Sequence, residues 1–332
     1  MASSLDAADL RRRVSRIGLG LAALGRPGYI NVGHAEDLGG QYDLRAMERQ
    51  AHAVLDAAVL AGVRYVDVAR SYGEAESFLA GWLANRAVGQ ADLVIGSKWG
   101  YVYTAEWRVE ASAHEVKEHS AAMLRRQWSE SRARLGHHLA LYQIHSATPE
   151  SGVLEDRAVL AELATLAGDG VVVGLSVSGP SQAATVRKAL DLAVDGKPLF
   201  GSVQATWNVL EPSCGPALAE AHQRGCLVIV KEALANGRLT ARNPDAGLAG
   251  AAAVLSREAG RLCTSLDALA MAAALAQPWA DVVLSGAARV DHLQSNLCAY
   301  AVPFDDGAAH GLAALAEPPV QYWATRGGLP WN

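Results

Sequence analysis

The sequence lacks paired cysteines and long apolar runs. Its four cysteines among 332 residues form no Cys-x-x-Cys pair, a usage typical of reduced thiols in a cytoplasmic protein. No segment approaches the roughly 18 consecutive apolar residues of a membrane helix. No apolar segment of the secretory type follows the N-terminal charges. We therefore expect a cytoplasmic protein with no membrane partner.

Clustered positive charge is also lacking. The formal net charge is −5, and the one basic run, at residues 11–13, is expected to be solvated within an N-terminal tail of residues 1–14. Since nucleic-acid binding needs a clustered basic face, we expect no nucleic-acid partner. The first predicted strand lacks a His-x-His pair, and the other histidines lack ligand spacing, so a metal hydrolase is disfavoured and no metal site is expected.

Apolar residues make up 51% of the chain and follow a regular alternation. Short apolar runs, typical of parallel strands buried on both faces, alternate with segments that have the i, i+3, i+4 spacing of amphipathic helices. The predicted strands are 16–21, 65–69, 93–98, 139–145, 171–177, 202–208, 227–231 and 281–286. The predicted helices are 44–61, 74–83, 113–135, 156–166, 182–192, 216–223, 266–276 and 290–298.

Eight strand–helix repeats predict an α/β fold, the (β/α)8 TIM barrel, as a single catalytic domain over residues 15–300. Residues 240–260 fall outside the repeat and are expected to form an inserted loop and a short helix after the seventh strand. Residues 301–332 are expected to form a C-terminal loop that contributes to the substrate pocket.

Polar residues close three neighbouring predicted strands. Asp67, Lys98 and His145 lie at or near the ends of the second, third and fourth strands, and Tyr72 follows the second. Taken one at a time, each residue also has a purely structural interpretation. Asp67 could form a structural ion pair, Lys98 could extend its ammonium to solvent, and His145 could be a hydrogen-bonded core histidine. Because active sites of this fold lie where the strands end, their convergence favours a catalytic site.

The chemistry of these four residues suits reduction of a carbonyl. Tyrosine has a pKa near ~10 and donates protons poorly at neutral pH, and a nearby cation lowers that pKa. Lys98 supplies the cation, Asp67 holds Lys98, and His145 orients the carbonyl oxygen. Tyr72 then acts as a general acid. The electrons require a hydride donor, which indicates NAD(P)H as cofactor.

With these residues in place, the sequence resembles the aldo-keto reductase superfamily, and the matching segments occur in family order over nearly the whole chain. They are Gly18-Leu19-Gly20, Asp67 with Ser71-Tyr72-Gly73, Gly96-Ser97-Lys98-Trp99-Gly100, Leu141-Tyr142-Gln143-Ile144-His145, Gly174-Leu175-Ser176, Val203-Gln204 with Trp207-Asn208, and Ser285-Gly286 with Asn296. The resemblance implies the same catalytic set of Asp67, Tyr72, Lys98 and His145.

The resemblance also implies a cofactor site. Its expected residues are Gly20, Asp67, Ser176, Gln204, Lys231, Arg238, Ser285, Gly286, Arg289, His292 and Asn296. Ser176 and Gln204 are expected at the nicotinamide carboxamide and Arg238 at the diphosphate. Arg289 and His292 favour NADP(H), with NAD(H) as the less favoured alternative, since a 2′-phosphate needs cations.

The sequence departs from the family at two positions. Val177 replaces an asparagine, and Lys231 stands where an aromatic residue commonly stacks on the nicotinamide. For Lys231 the alternatives are a shifted alignment, a surface pair with Glu232, or a changed nicotinamide environment.

Aromatic residues in the loops predict a pocket with apolar walls for aromatic or bulky carbonyl substrates, with helix packing as the alternative for each. They are Tyr29, Trp99, Tyr101, Trp107, Trp207 and Trp331.

The favoured function is NADPH-dependent reduction of an aldehyde or ketone. An NAD-dependent sugar or alcohol dehydrogenase that uses the same site, and a non-catalytic NADP-binding sensor subunit, are the alternatives. The oligomeric state is left open.

Overall fold

Eight parallel strands close into a barrel, which confirms the predicted TIM barrel. The computed structural model describes residues 5–86, 88–89, 92–243 and 249–332. The strands in these ranges are β1 (Ile17–Gly20), β2 (Tyr65–Asp67), β3 (Val94–Trp99), β4 (Tyr101–Tyr103), β5 (Glu115–Lys117), β6 (Leu139–Ala147), β7 (Val172–Val177), β8 (Ala193–Val194), β9 (Lys197–Pro198), β10 (Ser202–Thr206), β11 (Leu227–Lys231) and β12 (Val282–Ser285). The barrel order is β1-β12-β11-β10-β7-β6-β3-β2, and β4 with β5 and β8 with β9 form two separate pairs.

Helices cover the outside of the barrel, and the main apolar core lies between them and the strands. The helices in the described ranges are α1 (Ala7–Arg13), α2 (His34–Leu38), α3 (Leu44–Leu60), α4 (Ala75–Arg86), α5 (Ala121–Leu135), α6 (Arg157–Gly168), α7 (Gln182–Leu190), α8 (Gly215–Gln223), α9 (Ala249–Arg261), α10 (Leu266–Leu275), α11 (Val290–Leu297), α12 (Asp306–Ala313) and α13 (Pro319–Gly327). None of these helices is both long and apolar enough to span a membrane.

The N-terminal segment closes one end of the barrel. Asp6 and Asp9 form a capping box that starts α1, and Leu10 is fully buried among side chains of the barrel interior. Arg11 pairs with Asp281 at 3.1 Å. Residues 7–13 are therefore a helix anchored by an apolar contact and not a free tail, whereas Arg12 of the basic run is exposed to solvent as predicted.

The segment after β3 differs from the predicted helix over 113–135. Residues of β4 and β5 pair as an antiparallel hairpin, with Val102 opposite Val116. Ser120 ends the extended segment, and its side chain accepts a hydrogen bond from the Met123 amide to start α5. The helical spacing thus begins only after this cap, since an N-cap residue has extended backbone angles.

The inserted and C-terminal segments pack on each other. The helix expected within 240–260 is α9, while residues 244–248 of that prediction lie outside the described residues. The expected C-terminal loop instead contains α12 and α13, because Leu312 and Tyr322 are buried in a second apolar core with Leu255. After α12 and α13 the C-terminal residues lie at the open end of the barrel, where Arg326 and Trp331 line the cavity.

Candidate active site

A cavity of about 410 Å³ opens where the barrel strands end. Residues from the loops after β1, β2, β7, β11 and β12 line it, together with residues of β6 and β10, the hairpin and the C-terminal segment. The size lies within the range of small-molecule sites. Asp67, Tyr72 and His145 all face this cavity.

Asp67 and Lys98 form a buried ion pair beside the cavity. Lys98 is fully buried at the end of β3, and Asp67 is 2% exposed at the end of β2. The Lys98 ammonium donates to Asp67 Oδ1, to the Val68 carbonyl at 3.1 Å and to Tyr72 Oη at 3.3 Å. All three donors of the ammonium are thus used, which fixes its position next to the phenol.

Tyr72 stays protonated in this environment. Burial raises the pKa of the Tyr72 phenol well above its usual value, the negative charge of Asp67 raises it further, and Arg26 opposes the rise. The pKa of Tyr72 is thus raised although Lys98 lies at the phenol, because burial and then the charge of Asp67 both favour the protonated form. A phenol that keeps its proton is the form needed to donate one.

His145 stays neutral beside Tyr72. Burial lowers the pKa of His145 well below its usual value, and the positive charges of Lys98 and Arg26 lower it further. Its ring lies edge-on to Tyr72, with centroids 5.4 Å apart, and its Nδ1 lies 3.4 Å from Ser71 Oγ. The four predicted catalytic residues therefore meet in one place.

The predicted carboxamide residues lie on adjacent strands. Gln204 lines the cavity and donates from Nε2 to Asp67 Oδ2 at 2.8 Å. Ser176 is fully buried, and its Oγ accepts from the Ser146 amide at 2.8 Å. Val177 is buried in the sheet, whereas Ser178 lines the cavity. Ser178 therefore supplies a polar group near the place where asparagine was expected.

Lys231 and Glu232 lie in the cavity wall at the end of β11. Their side chains are 16% and 9% exposed, so the surface-pair alternative is wrong. Lys231 donates to Thr206 Oγ1 at 2.8 Å, and its Nζ lies 3.7 Å from Glu232 Oε1. Burial lowers the pKa of Lys231 to about 8, partly opposed by Glu232.

Arg326 on α13 completes this cluster. It donates twice to Glu232 Oε1, at 2.6 and 3.1 Å, and Thr206 Oγ1 donates to Glu232 Oε2 at 2.9 Å. Burial would raise the pKa of Glu232, but Arg326 and Lys231 reverse the effect and bring that pKa to about 2. Glu232 is therefore ionised although it is buried.

The end of the cavity near β12 holds Gly20, Ser285, Gly286, His292 and Asn296. Ser285 Oγ donates to Asn296 Oδ1 at 2.7 Å, which connects the strand to α11. A Cβ placed on Gly286 would meet nothing within 4 Å, so the cavity is open there.

Two arginines differ from the sequence-based expectation. Arg238 forms a bidentate ion pair with Glu317 and lies 5.5 Å above the Tyr322 ring, in the second core. The prediction that Arg238 contacts the diphosphate is therefore wrong. Arg242, which sequence reasoning missed, lines the cavity and pairs with Asp37. Its signal was a second arginine four residues after Arg238.

Arg289 lies at a neighbouring shallow cavity that shares Asp37 with the main one. Its guanidinium is half exposed and pairs with Asp291 at 2.9 and 3.1 Å. His292 Nδ1 lies 3.6 Å from Asp37. Arg289 and His292 are thus near each other, as expected, but each faces a carboxylate.

The six predicted substrate aromatics divide into two groups. Tyr29, Tyr101 and Trp331 line the cavity. The other three pack within the protein and are wrong as pocket residues. Trp99 is fully buried against His119, Trp107 packs edge-on to Phe78 and donates to the Tyr42 carbonyl, and Trp207 packs against Trp279.

Charged side chains missed by sequence reasoning also surround the catalytic group. Arg26, 3% exposed, pairs with Glu115 at 2.9 Å and lies 5.3 Å above the Tyr72 ring and 4.9 Å above the Trp331 ring. Together with Glu232 and Arg326 these residues make the cavity wall charged. Because Ile30, Leu234 and Leu284 also line the cavity, its wall is mixed, and the expectation of apolar walls is confirmed only in part.

The cavity residues fit a nicotinamide dinucleotide. Asn236 lines the cavity, and its buried Oδ1 has no partner among the described residues, as expected for a group that awaits a ligand. The open space at Gly286 continues to the start of α11, and helix starts favour phosphate groups. In the described ranges, no three His, Cys, Asp or Glu side chains group as metal ligands.

Comparison with known proteins shows the family and the fold. The model of the aldo/keto reductase family matches residues 16–317. The fold is similar to that of an aldo-keto reductase from Bacillus halodurans in its holo form, with a TM-score of 0.70 and 21% identity over 92% of this chain and 94% of that chain. It is also similar to that of a glycerol dehydrogenase from Gluconobacter oxydans, with a TM-score of 0.67 and 20% identity over 91% of each chain. No curated protein sequence matches the chain. By the family match, the chain belongs to the aldo/keto reductases, oxidoreductases that act on carbonyl compounds with nicotinamide cofactors.

Proposed function

We propose that the protein reduces a small aldehyde or ketone to the alcohol with NADPH, and that Tyr72 is the proton donor. The observation that carries the proposal is the contact of 3.3 Å between Tyr72 Oη and Lys98 Nζ, beside His145 at the cavity wall. An oxygen that becomes an alkoxide needs a proton donor and hydrogen-bond donors that are placed before the reaction.

Lys98 and Asp67 support the proton transfer. The high pKa of Tyr72 keeps the phenol protonated at neutral pH. Once Tyr72 gives up its proton, the Lys98 ammonium stabilises the phenolate through the hydrogen bond already present. Asp67 holds the ammonium in place and has its other oxygen occupied by Gln204.

His145 positions the substrate oxygen. Because its pKa is low, the ring is neutral at pH 7 and has one N–H donor. Its Nδ1 faces Ser71, which leaves Nε2 for the carbonyl oxygen. When bound, reduced nicotinamide supplies the hydride that the carbonyl carbon receives.

The cavity wall favours small polar substrates. A volume of about 410 Å³ leaves little room for a bulky substrate once part of a dinucleotide is bound. The buried ion pairs of Arg26 with Glu115 and of Arg326 with Glu232 need polar neighbours. We therefore propose short hydroxylated aldehydes or ketones, rather than bulky aromatic ones, as the substrate class.

Cations at the β12 end support NADPH as the cofactor. Arg242 lines the cavity, and Arg289 lies at the adjoining shallow cavity with an exposed guanidinium. Arginine binds phosphate through bidentate hydrogen bonds. The exposed partner of Arg289 is Asp291, and an exposed ion pair of this kind is weak enough to exchange for a phosphate.

One observation favours the alternative, an NAD-dependent sugar or alcohol dehydrogenase. Asp37 is 4% exposed, and its carboxylate lies between the two cavities. A carboxylate in such a place accepts hydrogen bonds from ribose hydroxyls and repels a 2′-phosphate. The same catalytic group would then run in the oxidative direction.

A fluorescence titration followed by a turnover screen tests the proposed function. We expect NADPH to bind at least tenfold more tightly than NADH, and short hydroxyaldehydes to be reduced faster than aromatic aldehydes. Tight NAD binding with alcohol oxidation would support the alternative. NADPH binding without any turnover would instead indicate a sensor subunit.

A variant separates the two cofactor assignments. Arg289→Leu should weaken NADPH binding about tenfold and leave NADH binding unchanged, because it removes a charge-assisted contact to the 2′-phosphate. Arg187→Leu removes an arginine that pairs with Glu220 on the outer helices and serves as the control. Equal affinity of wild type and Arg289→Leu for NADPH would argue against this contact.

A further inference from the structure

Lys231 is a buried amine in the cavity wall that the proton transfer does not use. It ends β11, which lies in the barrel order between β12 and β10. Lys231 lines the same cavity as Tyr72, Gln204 and Gly286. Gln204 lies on β10 and donates to Asp67 of the catalytic group at 2.8 Å, and β11 is the strand between β10 and β12. A ligand that contacts both Gln204 and the β12 end therefore lies beside Lys231.

The charge of Lys231 is only partly compensated. Its short hydrogen bond goes to the neutral Thr206 hydroxyl, at 2.8 Å. Glu232, the carboxylate within ion-pair distance, is 3.7 Å away, and its two oxygens already accept from Arg326 and Thr206. Lys231, Arg326 and Glu232 thus place two positive charges against one negative charge at this wall.

The positive charge reaches the catalytic group. Lys231 contributes to the lowering of the pKa of His145, and Lys98 in turn contributes to the lowering of the pKa of Lys231. The two lysines and His145 therefore interact across one shared, poorly solvated space. In such a space a further positive charge is unfavourable.

We propose that Lys231 makes the site bind the reduced nicotinamide dinucleotide more tightly than the oxidised one, and so favours carbonyl reduction over alcohol oxidation. The inference rests on the proposed function. The oxidised ring carries one more positive charge than the reduced ring, and an ammonium in the same wall repels that charge. An aromatic side chain at this position would lack the repulsion.

Equilibrium binding tests the inference without turnover. Quenching of tryptophan fluorescence gives the Kd of NADPH and of NADP⁺, and of NADH and NAD⁺, for the full chain at pH 7. In the wild type we expect the reduced form to bind more tightly. Lys231→Met and Lys231→Gln should each reduce the ratio of the two Kd values by about tenfold, the loss of one charge interaction in a partly solvated site.

Two further variants make the test specific for charge. Lys231→Arg keeps the positive charge and should keep the wild-type ratio. Lys188→Met, on the outer helix α7 where Lys188 pairs with Glu155, should also keep it. Lys231→Gln removes the charge but retains a hydrogen-bond donor toward Thr206. If only that hydrogen bond mattered, the Kd ratio of Lys231→Gln would equal that of the wild type.

The outcomes distinguish this inference from the proposed function. If none of the four dinucleotides binds the wild type, the proposed function is overturned. If they bind but the Kd ratio is the same in wild type, Lys231→Met and Lys231→Gln, the inference alone is overturned. A wild type that binds the oxidised form more tightly also overturns it.

Discussion

The two sides of the cavity are built in different ways. On the proton-transfer side, Asp67, Lys98 and His145 sit on three adjacent strands, and backbone register sets their distances. On the cofactor side, ion pairs such as Arg326 with Glu232 and Arg242 with Asp37 connect segments far apart in the chain. The first arrangement is rigid because the barrel is rigid. The second depends on loops and on the C-terminal helices, so substitutions can change it more easily.

Matched substitutions of aspartate should show this difference most strongly. Asp67→Asn leaves the fully buried Lys98 without its charge partner and should lower the free energy of unfolding by about 3–5 kcal/mol. Asp37→Asn leaves Arg242 without its charge partner, but Arg242 is 36% exposed and can turn to solvent. The expected loss in the free energy of unfolding is therefore only about 1 kcal/mol. Urea unfolding followed by circular dichroism measures both. Equal losses would mean that the two sides are equally rigid.

Buried histidines are a feature that the two sides share. Burial lowers the pKa of His34, on the cofactor side, to about 4, and lowers that of His145 as well. Below pH 6.5 these histidines bind protons in the unfolded chain but stay neutral in the folded protein. The free energy of unfolding therefore falls as the pH falls from 6.5 toward 4. Each histidine contributes about 1.4 kcal/mol per pH unit.

Unfolding at pH 7.5 and 5.5 checks this dependence on pH. Above pH 6.5 both histidines are neutral in both states, and their contribution is constant. Between pH 7.5 and pH 5.5, the free energy of unfolding of His34→Gln should fall by about 1.4 kcal/mol less than that of the wild type. The same loss in variant and wild type would show that His34 protonates freely in the folded protein.

Two tryptophans give the smallest expected effect. Trp331 lines the cavity and stacks on His114 with ring centroids 3.9 Å apart, whereas Trp107 packs outside the cavity wall. Trp331→Ala should raise KM for the carbonyl substrate roughly fivefold, since the lost contact is worth about 1 kcal/mol. Trp107→Ala should leave KM unchanged and lower stability. A larger KM effect from Trp107→Ala would reverse the assignment.

The same contrast explains what could be predicted from the sequence. Asp67, Lys98 and His145 were found because each is a polar residue at the end of an apolar strand, and strand ends meet in this fold. The hairpin of β4 and β5 was missed, since helical spacing was extended upstream of the Ser120 cap. Local sequence therefore predicted the strands better than the loops.

The charged wall had no local signal. Arg26 lies 89 residues from Glu115, and Glu232 lies 94 residues from Arg326. Trp99 shows a second reason, because neighbouring residues of a strand point to opposite faces. Lys98 faces the catalytic group, and Trp99 packs against His119 instead. Pairs between distant loops, and the direction of the last side chain of a strand, require the folded structure.

Tyr72→Phe tests the central claim most directly, because it removes one hydroxyl from the proton-transfer side and nothing from the cofactor side. The measurement is turnover with NADPH and a short hydroxyaldehyde, alongside the Kd of NADPH for the same variant. We expect turnover to fall by about 10²–10⁴-fold, the usual contribution of a general acid, and the Kd to stay within about twofold of the wild type. Full turnover by Tyr72→Phe would contradict the claim.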